Sequence, residues 1–459
     1  MTVRSEQTVY TLVVGLGKTG LSVVRYLHAL GETVVVVDSR EIPPGLTMLK
    51  DEYGDVEYFT GAFDPVLFVN AHRIIVSPGV ALSEPALLEA RDNNIEIIGD
   101  IDLFAREAAA PVIGITGSNG KSTVTTLLAS MASQAGVNVV ASGNIGTPVL
   151  DALDDDVALY VLELSSFQLE SLQYLPMKAA VVLNISADHL DRYENIAAYA
   201  MSKQVIYDNA EVLVLNKDDV LASYSETGRH GVTADKQVSF TLSKPEKGEF
   251  GLCAGDAGDS LCFGDMSLVA IDQLKIKGLH NIQNALASLA LGHAVGLEME
   301  SMITALRSFT GLPHRTQFVA EIKGVNWIND SKATNVGAAI AALVGLPGKH
   351  VLIAGGEAKG ADFSELTDIV GQHCRAVVLI GRDTEMIRTV MPEGLVVETA
   401  TDMQSAVVIA ASLALAGDNV LLAPACASFD MFDNFEHRGD VFIRSVEALS
   451  MSLQREVQS

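Results

Sequence analysis

The sequence predicts an α/β protein in three domains: a Rossmann-like unit over residues 1–99, a central P-loop mononucleotide-binding ATPase domain over 100–311, and a Rossmann-like α/β domain over 312–459. Three observations predict it. A strand, a GxGxxG turn and a helix open the chain. A second strand, glycine-rich loop and helix follow at Pro111. Strand–helix alternation then resumes beyond Thr310-Gly-Leu-Pro313. At 459 residues the chain is too long for one core, so two to four domains are expected.

In the first unit, Tyr10 to Val14 reads as a strand, followed by Gly15-Leu-Gly-Lys-Thr-Gly20, a helix, Gly31, and a second strand from Thr33 to Val37. That strand ends at Asp38, an acid eighteen residues beyond the last glycine, which completes the dinucleotide fingerprint. Taken alone it favours NAD(P) or FAD. Another nucleotide-like ligand on the same helix N-terminus, or a turn needing glycine only for packing, stays open. Arg73 to Gly79 reads as a strand ending in a turn that covers the same crevice, and the unit runs only to about Gly99.

The central domain is organised by Pro111-Val-Ile-Gly-Ile-Thr-Gly-Ser-Asn-Gly-Lys-Ser-Thr123. Apolar Val112 to Ile115 make a buried strand, Thr116 to Gly120 a tight turn, and the residues from Lys121 a helix. In such a cradle, backbone N–H groups and the positive helix end face phosphates, Lys121 adds charge, and the Ser122 hydroxyl can ligate Mg²⁺. The literal Walker spacing is not met, because Ile115 stands where the first glycine belongs, and the loop is one residue shorter. A strand within Val157 to Gln168 delivers Glu163 near its carboxyl end, where nucleotide enzymes place a metal-binding or water-orienting acid. The plainer reading is a capping acid for the next helix. The strand Ala179 to Ile185 presents His189 with Asp188 and Asp191, a cluster that by itself reads as loop polarity. Lys203 falls in a helical stretch, Ala197 to Tyr207, where an isolated lysine reads as solvated. Residues 217 to 275 read as β-rich or looped, and Gly278 opens an alanine- and leucine-rich helix that ends at Gly296.

The third domain begins with the strand Val325 to Asn329, which breaks into a polar loop. Strands follow at His350 to Ala354, Ala376 to Ile380 and Val420 to Leu422. Each is succeeded by a polar or glycine-rich turn, where open α/β sheets bind ligands.

Composition bounds the function. With 49% hydrophobic and 19% charged residues the chain is a globular composition, and no apolar run is long enough to span a membrane. Residues 1 to 7 contain no apolar signal core. Cys253, Cys262, Cys374 and Cys426 lack metal or disulfide spacing, which fits a reducing cytoplasm. A formal net charge of −26 disfavours nucleic acid, but leaves anionic small substrates to local amides and placed cations.

Taken together, the motifs resemble the Mur ligase superfamily along the whole chain. The markers are the short phosphate loop from Thr116 to Ser122, Gly143-Asn-Ile-Gly146, Glu163-Leu-Ser-Ser166, Asn184 through His189 with Asp191, His280-Asn-Ile-Gln-Asn284, Pro313-His-Arg315 and Asn329-Asp-Ser-Lys332. Within the family the resemblance is to the branch that adds D-glutamate. It rests on Asn329 to Asn335, Lys359-Gly-Ala-Asp-Phe363, and Ala425-Cys-Ala-Ser428 followed by Asn434 to Gly439. The Asp-Asn-Pro-Arg signature of the third-residue ligases is absent from the sequence.

The resemblance implies a step of peptidoglycan precursor synthesis. ATP would phosphorylate the carboxylate of UDP-MurNAc-L-Ala, and D-glutamate would attack the acyl phosphate, releasing ADP and phosphate. It also implies the roles. Lys121, Glu163, His189 and Lys203 would be catalytic. Gly117, Ser118, Asn119, Gly120, Lys121, Ser122, Thr123, Asn281, Asn284, Arg315 and Asp330 would bind ATP. Two Mg²⁺ sites are expected, from Ser122 and Glu163 at one and His189 at the second, with Lys203 as a ligand if carbamylated by CO₂. The UDP-substrate would take Lys18, Thr19, Asp38, Ser39, Arg40, Ser77, Pro78, Gly79 and Asn144. Asp38 would meet either a ribose hydroxyl or the uracil imide, and Lys18 either the diphosphate or solvent. D-glutamate would take Lys332, Thr334, Lys359, Ser428 and Phe435. A cytoplasmic monomer with small-molecule substrates is expected, closing on ATP about Thr310 to Pro313.

Three rivals remain. A nicotinamide oxidoreductase rests on Gly15, Gly17, Gly20 and Asp38 alone and leaves the phosphate loop without a task. A nucleotide sensor would bind without turnover. A ligase of the same family adding another amino acid is the nearest alternative.

Overall fold

The computed structural model describes residues 9–189, 192–223, 236–255 and 258–458. Asp191, read above as part of the His189 cluster, lies outside the described residues. Among the described residues the strands form three sheets.

The first sheet has five parallel strands in the spatial order Glu57–Thr60, Val34–Asp38, Thr11–Val14, Arg73–Val76, Glu96–Ile98. Its inner strands are valine- and isoleucine-rich and buried on both faces, the pattern of a sheet covered by helices on each side. The chain order reverses between Thr11–Val14 and Arg73–Val76, so a crevice opens at their carboxyl ends, beside the helix Lys18–Ala29.

The second sheet is the largest, with nine strands. Its order is Met266–Ala270, Ser260–Phe263, Phe250–Cys253, Gln237–Phe240, Leu213–Asn216, Ala179–Val182, Val112–Thr116, Leu159–Glu163, Val139–Gly143. The last two connections at the Met266–Ala270 end are antiparallel and the rest are parallel. Among the described residues from 217 to 275 there are four strands, within the β-rich or looped reading of the sequence. That edge also corrects the cysteine reading: Cys253 and Cys262 are paired as a disulfide across adjacent strands, with Cα atoms 6.1 Å apart, while Cys374 and Cys426 are free and buried. The nine-residue spacing is a hairpin relation, invisible until the two strands are placed side by side.

The strand Val112–Thr116 sits inside this sheet, flanked by Ala179–Val182 and Leu159–Glu163. The phosphate loop, Glu163 and the Asn184–His189 segment therefore emerge along one carboxyl edge. The helix Lys121–Gln134 packs on Leu279–Ala294 and Met299–Ser308 through Val124, Leu127, Leu128 and Met131, all fully buried.

The third sheet runs Gln317–Ile322, Val325–Asn329, Asn419–Leu422, His350–Ala354, Cys374–Leu379, Val396–Thr399, parallel except for the first pair. Its carboxyl ends face the central domain. The long helix Phe435–Gln458 covers one face. No helix among the described residues is long and apolar enough to cross a membrane.

Candidate active site

The phosphate loop ends at Gly120, which takes φ +86 as the N-cap of Lys121–Gln134. A side chain there would be strained, and its Cβ would also run into the Asn284 side-chain oxygen. Glycine is required so that the helix Leu279–Ala294 can approach the loop. The loop is held from its other side as well: Asn184 accepts from the Asn119 amide at 2.9 Å and donates to the Asn119 carbonyl at 3.1 Å.

Lys121 is not the exposed loop lysine that a glycine-rich turn suggests. It is half-buried, and its Nζ donates to the carbonyls of Gly117 and Ser118 at 2.8 and 2.9 Å. Burial lowers its pKa, against the attraction of Glu163 and Asp188. Ser122 is buried, and its hydroxyl accepts from the Arg315 guanidinium at 2.6 Å, a contact between residues 193 apart in sequence.

Glu163 is 2% exposed at the end of its strand. The helix that follows is capped by Ser165, in a reciprocal pair with Gln168, so Glu163 is free of the capping duty considered above. One carboxylate oxygen accepts from Asn144 Nδ2 at 2.9 Å, and the other is buried without a partner. An orphaned carboxylate oxygen at the end of the strand adjacent to the one that feeds the phosphate loop, with the Ser122 hydroxyl on that loop, is a donor set that suits Mg²⁺.

Lys203 departs furthest from the plain reading of its helix. It is 1% exposed rather than solvated, with Nζ 3.4 Å from the Thr116 hydroxyl and 4.7 Å above the Tyr199 ring. Burial, reinforced by the charge of Lys121, pushes its pKa well below the ordinary lysine value. His189 takes φ +54, its ring lies 4.8 Å from that of Phe167, and its amide donates to Asp188 at 3.0 Å.

The third domain contributes from the opposite side. Asp330 is buried, accepts from the Thr316 amide at 3.2 Å, and has its pKa pushed up to about 6 by burial. Lys332 lies 3.9 Å from the Phe435 ring centre, and burial, then the charges of Arg315 and Lys121, pushes its pKa down to about 8. Between the domains lies a cavity of about 240 Å³, lined by Gly120, Thr123, Asn281, Asn284, Arg315 and Asp330, among others. Sequence reasoning assigned no binding role to Gln283, Thr316 or Asn184, which also line it. Gln283 stands inside the His280–Asn284 motif and could have been found there. Nothing local marks Thr316.

Four basic side chains, Lys121, Lys203, Arg315 and Lys332, all have Glu163 as a neighbouring acidic group. Thr334 stands two residues beyond Lys332, and Ala425 donates its amide to the Ala333 carbonyl at 2.9 Å, which ties this loop to the one carrying Ser428. Ser428 is buried, whereas Lys359 is exposed at φ +48 with its Nζ 5.1 Å from the Phe429 ring centre.

In the first domain, Asp38 is turned inward. Its carboxylate accepts from the Leu16 amide at 2.7 Å, and from the Arg40 amide and guanidinium at 2.6 to 2.9 Å. Burial alone would raise its pKa, but these hydrogen bonds outweigh it and the pKa is lowered. Asp38 thus organises the glycine turn and the Arg40 loop. Lys18, Ser39, Arg40 and Gly79 are exposed around the crevice, with Thr19, Ser77 and Pro78 half-buried, and Ser77 donates to the Gly15 carbonyl at 3.0 Å.

Family models cover most of the chain: a Mur ligase MurD-like N-terminal domain over residues 9–99, a Mur ligase middle domain over 115–292, and a Mur ligase glutamate ligase domain over 314–426. A curated UDP-N-acetylmuramoylalanine–D-glutamate ligase of Pseudomonas savastanoi pv. phaseolicola is 50% identical over 445 residues, covering 96% of this chain and 98% of the relative. The corresponding ligase of Nitrosococcus oceani is 49% identical, covering 96% of each chain. Among solved structures, the MurF ligase of Thermotoga maritima in complex with ADP aligns with a TM-score of 0.60 at 18% identity, over 97% of this chain and 100% of its own. UDP-N-acetylmuramate–alanine ligase MurC of the same organism aligns at 0.58 and 19% identity, over 96% and 99%. These two show a shared fold.

Proposed function

The chain belongs to the Mur ligase family, and we propose that it joins D-glutamate to UDP-N-acetylmuramoyl-L-alanine, using ATP and releasing ADP and phosphate. The observation that carries the reading is Glu163, a carboxylate with one bare buried oxygen set among Lys121, Arg315, Lys332 and the buried Lys203 at the meeting of the central and third domains. A site for transferring a phosphoryl group between two anions needs that balance: enough positive charge to gather the reactants, and an oxygen donor for a metal.

A carboxylate is a poor electrophile at neutral pH. The alanyl carboxylate oxygen bonds to the γ-phosphorus as the bond to the β-bridging oxygen breaks, and ADP departs. The unprotonated amine of D-glutamate then attacks the acyl carbon, phosphate leaves, and the amine gives up a proton. Residues 1–99 hold the UDP end through the crevice beside Lys18–Ala29. Residues 100–311 hold the triphosphate through the loop amides and Lys121. Residues 312–459 bring Arg315 to the phosphates, Asp330 to the ribose, and Lys332, Thr334, Lys359, Ser428 and Phe435 to D-glutamate. Two separated carboxylates on that amino acid call for two polar pockets, and these residues come from different loops. Mg²⁺ on Ser122, Glu163 and a carbamylated Lys203, with a second ion at His189, would neutralise phosphate charge. Positioning and charge supply most of the catalysis.

Phosphate release with UDP-MurNAc-L-Ala and ATP tests the reading when L-alanine, D-glutamate, L-lysine and meso-diaminopimelate are offered in turn. D-glutamate alone should support turnover. A preference for another amino acid would move the chain to a different branch of the family, and no release with any of them would reject ligase activity.

A further inference from the structure

The contact between the third domain and the phosphate loop is built around one side chain that the proposed chemistry does not use. Asn335 is the N-cap of the helix Val336–Gly345, and its side-chain oxygen accepts from the Ala338 amide at 2.8 Å. Its amide nitrogen points the other way and donates to Asp188 Oδ2 at 3.0 Å, with Asn119 Oδ1 at 3.5 Å. Asp188 uses its other oxygen to accept from the His189 amide. Asn119 belongs to the phosphate loop and reaches Ser186 through its own side chain at 3.3 Å. A single buried amide thus touches both central-domain segments that carry the chemistry.

The backbone is fitted to this contact. Gly337, one residue into the same helix, lies so close to the central domain that a Cβ there would sit 2.8 Å from both Cβ and Oγ of Ser186. Its φ is not in the left-handed region, so nothing within the helix itself requires glycine. The requirement comes from the neighbouring domain.

We propose that Asn335 is a positioning residue that registers docking of the third domain on the phosphate loop and the His189 segment, with Gly337 providing the clearance for it. The proposal rests on the ligase reading above and deepens it. When the third domain seats, the Asn335 amide fixes Asp188, which fixes the His189 backbone, and steadies Asn119 in the loop. The residue is well suited to this task because the two ends of its side chain serve different masters: the oxygen stays with its own helix, and the nitrogen serves the neighbour.

That division gives a clean test. Asn335→Asp keeps the helix cap, since aspartate caps as well as asparagine. It removes the donor and sets a carboxylate against Asp188. The thermal midpoint should hold, kcat for phosphate release should fall about tenfold or more, and the KM of the UDP-substrate, bound in the first domain, should stay near wild type. The exchange variant Asn335→Asp with Asp188→Asn restores a donor–acceptor pair of reversed direction. The carboxamide oxygen introduced at position 188 can still accept from the His189 amide, so most of the lost kcat should return. Gly337→Ala should leave the midpoint unchanged or raise it, because alanine is the better helix former, while lowering kcat. Wild-type kcat in Asn335→Asp, a midpoint loss that tracks its activity loss, or an exchange variant no better than the single one would each overturn the proposal. Wild-type enzyme that releases no phosphate would instead reject the ligase reading, so the two failures are distinguishable.

Discussion

Asn144 donates its side-chain amide to one oxygen of Glu163 at 2.9 Å, and the other oxygen of that carboxylate is buried with no partner. Asn144 therefore aims the acid, leaving a single oxygen for a metal. Groups that orient a metal ligand commonly alter affinity by 10–100-fold when removed. Asn144→Ala should raise the Mg²⁺ concentration for half-maximal rate on the order of tenfold. A metal titration of initial rates checks this. An unchanged Mg²⁺ requirement with a raised KM for the UDP-substrate would return Asn144 to the sugar side alone.

Lys203 is held in a setting that disfavours its ammonium form: buried, with the Lys121 charge nearby. A lowered lysine pKa means that the neutral amine is the form present as pH rises above it. That amine adds CO₂, forming an N–C bond and losing a proton, and the group changes from cation to anion. Lys203→Ala should lose most activity, and acetate should restore part of it by supplying the missing carboxylate. Full activity in the variant, or a bare ammonium beside bound metal in a high-resolution map, would refute the carbamate.

Lys332 gives a pH dependence with a definite sign. Its pKa is pushed down to about 8, so it is charged below that value and neutral above it. Binding of a dicarboxylate should weaken as pH rises through about 8. Glutarate, which has the two carboxylates but no amine to titrate, isolates the effect. Its inhibition constant should climb above pH 8 in the wild type and stay flat in Lys332→Arg, where the charge persists. Parallel profiles in the two enzymes would remove Lys332 from the amino-acid site.

Asp38 should act on the UDP-substrate through the backbone. Asp38→Ala leaves the buried Leu16 amide without its acceptor, a loss of about 1–3 kcal/mol, and frees the Arg40 loop. Weaker UDP-MurNAc-L-Ala binding should therefore come with a lower melting temperature, while NADH shows no saturable binding to either protein. Calorimetric titration and thermal melts distinguish this from direct contact, which would weaken binding at constant stability.

The parts of this molecule that were legible in its sequence are those whose cause is local. The phosphate loop announces itself because a tight turn after an apolar strand needs Gly117 and Gly120 and is followed at once by Lys121. Strand ends could be placed because apolar runs stop at polar residues such as Glu163 and Asp38. Direction was not legible: the fingerprint locates Asp38 but does not say that it folds back on Leu16 and Arg40. Burial of Lys203 was hidden too: it shares a helix face with Ile196, Tyr199 and Ala200, but a lysine at the end of a short apolar stripe reads as its solvated edge until the helix is packed beneath the loop. Arg315 on Ser122 and Asn335 on Asp188 join residues 193 and 147 positions apart, and no sequence window holds both partners.

The cations gathered around Glu163 from two domains have a further consequence. With its domains together, Lys121, Arg315 and Lys332 stand among Glu163, Asp188, Asp330 and Glu436, a local mixture of charges in a chain of formal charge −26. The reactants are then counter-ions as well as cargo. Triphosphate and dicarboxylate would be shared by cations of both domains, so their binding would favour the docked arrangement. Sulfate should accordingly raise the melting temperature of the ligand-free enzyme more than chloride at matched ionic strength. Identical melts in the two salts would mean that the charges are already balanced within the protein.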